Sequence, residues 1–487
     1  LWFTFLGLVG IMNFSQDLSV IRAFNPYYAV KLLLSPDNHL GIFILGNIFL
    51  ATTGAEALYS DMGHVGKKNI YISWPYVKIC LMLNYLGQAA WLTKVYQDPS
   101  YQSIEELNPF FRMMPDGWMV LGVGFATIAA VIASQALISG SFTLVSEAIK
   151  LKLLPRMKIT YPGKTIGQMY IPLVNLLLWL ACSLIVITFR TSSHMEAAYG
   201  LSITVTMLMT TFLLFFFLRQ SGHRLIISLL ITLFFGAIET IFFISSAVKF
   251  FHGGFVAVLI ALVILGVMLV WEWGNLIEER ASDDVDLKDY FPQLNELRHD
   301  EHLPMYQTNV VFLVPRIDGD HIEKAALYSI LDKRPKRAEV YWFVNVTVTD
   351  EPYTQEYSVD MMGTDYIMKV KLYLGFRVGQ EVNVYIRQII HDMMKQGRLP
   401  LQPQKYTISK GRNVGDFQFI LIRKILSNNT VIGKWERQIM QLKLAIKKMT
   451  MSPENWFGLE YSDVLYENVP LIIGEPRKTR LQERTEN

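Results

Sequence analysis

Apolar residues run in long blocks through the first 273 positions and are broken into short runs afterwards. A helix that crosses a bilayer needs about 20 mostly apolar residues. On that measure spans are predicted over 41–60, 71–93, 117–142, 167–189, 198–218, 225–248 and 253–273, with a shorter block over 1–14. The mixed stretch VIRAFNPYYAVKLLL (20–34) is predicted as an interfacial or re-entrant helix. Beyond Trp273 the pattern changes. The charged, helix-prone segment 274–305 is predicted as linker helices. Strand-like runs follow at NVVFLV (309–314), VYWFVNVTV (340–348), YIMKVKLYL (366–374) and FQFILI (417–422). Helical patterns occupy HIEKAALYSIL (321–331), VNVYIRQIIHDMMKQ (382–396) and KWERQIMQLKLAIKKM (434–449). Strands alternating with helices predict a small α/β domain over 306–487.

Composition strengthens the membrane reading. The 487 residues are 52% hydrophobic and include 29 Phe and 23 Tyr, more apolar surface than a soluble chain of this length needs. A net charge of +3 gives no reason to expect a nucleic-acid partner. Cys80 and Cys182, the two cysteines, both lie in apolar runs and predict neither a disulfide framework nor a thiolate metal site. The nine histidines lack zinc-ligand spacing. No GxGxxG, P-loop or nucleophile elbow appears after residue 300; GFRVG (375–379) reads as a turn, so an enzyme is not predicted. The opening block LWFTFLGLVGIMNF has no basic leader and no small-residue cleavage site, and reads as part of a membrane helix with further sequence expected before it. Lysine and arginine are richer per loop around 67–68, 150–164 and 219–224 than in the alternate loops, which predicts a cytoplasmic C-terminus.

Several residues stand out against this pattern. In ATTGAEALYSDMGH (51–64), Thr52, Thr53 and Gly54 interrupt a span, and Glu56 places a carboxylate just beyond them. Either the helix ends there and Glu56 is interfacial, or it unwinds and offers freed carbonyls and hydroxyls as oxygen ligands. Unwound backbone at membrane depth is tolerated where it lines a cavity, as in transporters that bind small ions on broken helices. Asp61, His64, Lys67 and Lys68 read as a solvated turn. Gly122, Ala126, Ala130 and Ser134 recur every fourth residue, a face suited to tight helix packing; Ser134, Gln135 and Ser139 add polar groups that suit a pathway instead. Thr204, Thr206, Thr210 and Thr211 are predicted to bond back to their own helix, and Tyr199 to be an interfacial aromatic. Glu239 is an intramembrane carboxylate, with a functional and a helix-pairing reading both open.

Taken in order, these blocks resemble a known family. ATTGAEALYSDMGHVGKKNI is similar to the TGAEALYADLGHFG signature of the Kup/HAK/KT potassium uptake permeases. LNYLGQAAWL (83–92), NPFF (108–111), ATIAAVIASQALISGSFTL (126–144), PRMKI (155–159), GQMYIP (167–172), AYGLSITVTM (198–207) and HGGF (252–255) resemble further family segments, and NVVFL (309–313) resembles the start of its cytoplasmic domain. The resemblance implies an α-helical membrane protein of the amino acid–polyamine–cation inverted-repeat fold, with a membrane domain over 1–273. On that template the chain begins in the fifth of twelve helices, and the four before it, with the family's GDVGTSPLY motif, would precede residue 1. It implies potassium import across the plasma membrane, coupled to protons in many members, with Thr53 and Glu56 at ion-binding and coupling positions beside Thr52 and Gly54. Tyr199 would fall on a gating segment, and Glu239 where many members carry Asp. It further implies a homodimer formed partly by the cytoplasmic domain and, in some relatives, regulation by cyclic di-AMP. A transporter of amino acids or another cation on the same fold is the first alternative; a membrane-anchored sensor is the second.

Overall fold

The computed structural model describes residues 1–34, 41–52, 66–96, 108–163, 168–280, 284–317, 319–404, 408, 412–426, 433–448 and 450–471. It divides into two compact units. One joins Leu1–Leu144 with Val174–Ile264, and the other joins Val145–Leu173 with Leu265–Asn487.

The first unit is helical. α1 (Trp2–Phe14) is followed by a 3-10 segment, Leu18–Phe24, bent 115° from it, and then by α2 (Pro26–Leu34). The carboxylate of Asp17 accepts from the Ser19 amide and caps the 3-10 segment, so the chain turns where the sequence predicted an interfacial or re-entrant piece. α3 (Gly41–Ile48) continues as a 3-10 stretch, Phe49–Thr52. α4 spans Lys67–Val95, α5 Met119–Lys150, α6 Pro172–Phe189, α7 Ser192–Gln220, α8 Leu225–Ala247 and α9 Gly254–Arg280. Among the described residues five helices are long and apolar enough to cross a membrane, or six if α1 and its bent partner count as one. α4 is not one of the five, although a span is predicted over 71–93. It carries Lys78, Asn84 and Gln88 in its middle, and it turns Asn84 toward α1.

Packing in this unit rests on small and polar residues. Gly10 of α1 and Gly87 of α4 meet backbone to backbone: a Cβ on Gly10 would lie 2.5 Å from the Leu83 carbonyl, and one on Gly87 would fall on Gly10 itself. Asn84 donates to the Leu6 carbonyl (3.3 Å) and accepts from Gln88 (2.6 Å). Asn13 donates to the carbonyls of Val9 and Met113 at 3.0 Å each. The hydrophobic effect gives no help between helices in lipid, so close approach and hydrogen bonds take over. On α5, Gly122 does pack tightly, against Met114 and near Phe5. Farther along the same stripe, Ala130 and Ser134 are exposed among the described residues.

The second unit is built on a six-stranded sheet in the order β5-β6-β4-β2-β7-β8. β2 (Gln307–Leu313), β4 (Ala338–Thr349), β6 (Ile367–Gly375), β7 (Phe417–Leu426) and β8 (Val464–Leu471) are parallel to their neighbours, and β5 (Gln355–Asp360) runs antiparallel along β6. The chain winds from β2 outward to β6 and then returns to the other side of β2 for β7 and β8, a doubly wound arrangement. A parallel sheet must be covered on both faces. Val310, Phe312, Tyr341 and Phe343 point into one core with Leu287, Leu294 and Ile330. Val311, Trp342, Val344 and Met368 point into the other, against α12 (Val382–Lys395), which offers Ile386, Ile389, Ile390 and Met393 at helical spacing.

The stretch 274–305 contains helices, as expected from its charge, but also a strand and a core contact. α9 runs on to Arg280; β1 (Asp284–Asp286) pairs antiparallel with β3 (His321–Glu323); and α10 (Phe291–His299) buries Leu294 and Leu297 in the sheet's core. Likewise 321–331 is not one helix. It opens as β3, continues as α11 (Lys324–Tyr328), and closes in a π turn, Ser329–Lys333. α13 (Lys434–Lys448) and the single turn α14 (Pro453–Trp456) complete the unit.

Candidate functional site

Thr53, Gly54 and Glu56, the residues proposed to bind and couple the ion, lie outside the described residues, as does the side chain of Thr52. The chain leading to them is described. α3 tightens from α to 3-10 over Phe49–Thr52. A tightening of this kind marks a helix terminus or a functional hinge.

Two helices hold that 3-10 stretch. Phe49, with 1% of its surface exposed, stacks on Phe242 of α8 with ring centroids 5.5 Å apart. Gly200 of the AYG segment in α7 lies beneath it, where a Cβ would contact Leu50 and Phe49 at 3.7 Å. One turn earlier Gly46 approaches Ser245 of α8 so closely that a Cβ would lie 2.6 Å from the serine hydroxyl. The start of α7 is itself braced by the HGGF turn. Gly253 adopts φ +137°, and a Cβ there would lie 2.5 Å from the His194 carbonyl, so a side chain is excluded on two counts.

Glu239 stands three residues before Phe242 on α8, and positions three apart share a helix face. Its carboxylate accepts from the Thr211 hydroxyl of α7 at 2.8 Å, and its second oxygen is buried without a hydrogen-bond partner among the described residues. Thr211 is thus a neighbour of Glu239 that periodicity missed. Thr204, Thr206 and Thr210 do bond back to Gly200, Ser202 and Thr206 as expected, but Thr211 turns across to the next helix. Phe49 and Phe242 were equally hidden, each one apolar residue in an apolar run.

The remaining candidates separate. Tyr199 sits beside Gly200 but is 48% exposed. Ser134 and Gln135 are exposed on α5 and are not brought to this site by any contact among the described residues. No group of three His, Cys, Asp or Glu able to hold a metal ion occurs among the described residues. What the geometry assembles among the described residues is a 3-10 stretch held by an aromatic stack and a glycine, with a carboxylate on the supporting face.

The comparisons with known proteins address the same stretch. Residues 1–276 match the K+ potassium transporter integral membrane domain, and residues 307–470 match the K+ potassium transporter C-terminal domain. A probable potassium transport system protein Kup of Enterococcus faecalis is 69% identical over 485 residues, which cover 99% of this chain and 72% of that protein. Proteins described in the same words from Latilactobacillus sakei and Clostridium perfringens are each 55% identical, over 100% and 99% of this chain and 73% and 72% of their own length. No solved structure matches the chain. With both domains matched in order and relatives this similar, the chain belongs to the K+ potassium transporter family.

Proposed function

We propose that the protein imports potassium across the plasma membrane by alternating access, as a proton-coupled symporter of the inverted-repeat fold, with Thr53 and Glu56 on the ion path. One observation carries this reading: α3 gives up α-helical geometry at Phe49, immediately before Thr53-Gly54-Ala55-Glu56, and its end is held by Gly200 and Phe242. A change from α to 3-10 inside an apolar span alters which carbonyl oxygens are bonded, and hard oxygen ligands with a nearby carboxylate suit a desolvated alkali cation. Glu56 serves as the proton-exchanging group, and Thr53, Thr52 and the Gly54 backbone supply oxygen ligands. Tyr199 borders the path beside Gly200, and Ser134 and Gln135 belong to a segment of it that faces a second conformation.

The α/β domain lies in the cytoplasm on this reading, joins two copies into a homodimer, and receives a nucleotide second messenger such as cyclic di-AMP. Support for the sidedness comes from the lysine- and arginine-rich loop after α5. Within the unit that contains the sheet, Arg156 lies over the Trp456 ring (5.5 Å) and Tyr161 packs on Phe376 (4.8 Å), so that loop and the sheet share one side.

Rubidium uptake into cells that depend on this protein, or into liposomes, tests the reading. Uptake should rise with an inward proton gradient, and Glu56→Gln should abolish that dependence. Unchanged uptake and pH response in Glu56→Gln would remove Glu56 from the mechanism. Competition by amino acids would redirect the substrate to that class.

A further inference from the structure

α13 lies along the last turns of α9, antiparallel to it. Arg280 meets Glu436 at 3.9 Å, Ile277 packs with Ile439 and Met440, and Gly274 lies against Lys443, where a Cβ would come 3.2 Å from the lysine Cβ. Seven steps along α13, Glu436 to Lys443, therefore match six steps back along α9, Arg280 to Gly274. The Lys443 stem is buried between the helices; its ammonium sits 5.3 Å from the Trp271 ring centroid and 3.0 Å from the Glu278 carboxylate. Continued at the same pace, the register brings Lys447 and Lys448 level with Trp271 and Val270.

That level has a chemical meaning. α9 is apolar up to Val270 and then reads Trp271-Glu272-Trp273. Tryptophans at the end of an apolar span mark the headgroup region. The last turn of α13 has the composition for the same region. Ala445 is exposed, and Lys447 and Lys448 are exposed with no ion-pair partner among the described residues. The basic residues at the other end of α13, Lys434 and Arg437, lie about 15–20 Å farther along the helix, away from that boundary.

We propose that the last turn of α13 is a contact site for the anionic lipid surface, with the Lys447 and Lys448 ammonium groups on headgroup phosphates. The site fastens the α/β domain to the bilayer beside α9. The inference rests on the reading that α9 crosses the membrane with its C-terminal end on the cytoplasmic side, and goes beyond it by naming a lipid partner. A competing account is that two lysines in a last helical turn answer the helix dipole and need no membrane.

Hydrogen exchange of the full chain in lipid nanodiscs separates these accounts. Each lysine near an anionic surface is worth about fivefold, so amides of 442–448 should exchange up to about 30-fold more slowly with phosphatidylglycerol in the disc than with phosphatidylcholine alone. Lys447→Gln with Lys448→Gln should erase the difference, high salt should shrink it, and Lys434→Gln with Arg437→Gln should leave it. Equal exchange in the two lipids overturns the proposal, as does an equal effect of the two double variants. Protection that follows protein concentration and ignores lipid charge assigns the turn to a second copy and overturns it too. Rubidium uptake in liposomes is scored separately: lipid-dependent protection without uptake would keep this contact and sink the transport reading.

Discussion

Two buried asparagines set the two units of this protein against each other. Asn84 lies between α1 and α4, and Asn309 lies on β2 in the middle of the sheet. Asn84 makes one hydrogen bond to a backbone carbonyl of the neighbouring helix and one to Gln88 of its own. Asn309 donates to Gln402 (2.9 Å) and accepts from the Trp342 indole (3.0 Å), and Gln402 in turn accepts from the Gly415 amide (3.1 Å). Around Asn84 the neighbours are Gly10 and Gly87, chosen for size. Around Asn309 they are Val311, Trp342 and Phe417, chosen for apolar bulk. In the membrane-type unit polar bonds hold helices that have no solvent to escape from. In the sheet the apolar core supplies the driving force, and the polar network fixes which strands meet.

The largest test of this contrast is the ion pair hidden in the sheet. Lys336, fully buried, reaches Glu467 of β8 at 2.9 Å, and Glu467 also accepts from Ser329. Lys336→Met should destabilise the α/β domain by about 3–5 kcal/mol, because it leaves a buried carboxylate alone. Lys336→Met combined with Glu467→Leu should recover most of that loss, measured by thermal unfolding of the full chain. A double variant as weak as the single would mean that packing volume, not the stranded charge, sets the cost. Next, Asn309→Leu should cost about 1–3 kcal/mol for each of Trp342 and Gln402 left unpaired. Gly87→Ala should cost about 1–3 kcal/mol by overpacking, although the change is one methyl group. Asn84→Leu should cost only about 0.6 kcal/mol, as membrane hydrogen bonds do on average. Finding Asn84→Leu costlier than Asn309→Leu would erase the comparison.

The smallest effect is a pH dependence. The ammonium groups of Lys288 and Lys369 hold the Asp320 carboxyl down to about 2 from the usual 3.8. A carboxyl lowered on folding stabilises the fold above its unfolded value, and that stabilisation is lost as pH falls from near 4 through 2. The α/β domain should therefore soften over that window, and Asp320→Asn should flatten the response in unfolding scans taken between pH 5 and pH 2.

Much of this architecture could be read from patterning, and the failures have identifiable causes. β2, β4, β6 and β7 are apolar on both faces, which a doubly covered parallel sheet requires, so their runs stood out. β5, QEYSVD, is exposed along nearly its whole length, and it exists because the edge of β6 offers it a partner. β8 hides a charge, Glu467, whose partner stands 131 positions earlier, a pairing that no local pattern contains. His321–Glu323 follows helical periodicity but is drawn into a strand by β1. At the candidate site, TTGAE and AYG were recognisable as strings. How the chain leading to TTGAE meets AYG was not, because that contact runs through Phe49, Leu50 and Phe242, residues of ordinary type for a membrane helix.

By itself, the sequence determined that long apolar helices precede an α/β domain, which glycines and threonines interrupt them, and which family they belong to. Those properties follow from local composition and order, and a window of twenty residues is enough to express them. Tertiary structure alone decided that Gly10 faces Gly87, that the 3-10 stretch after α3 rests on Gly200 and Phe242, that Glu239 shares the supporting face, and that α13 runs back along α9. Each of these is a contact between residues far apart in the chain. Its energy depends on how closely two surfaces approach, which side-chain chemistry permits but does not dictate.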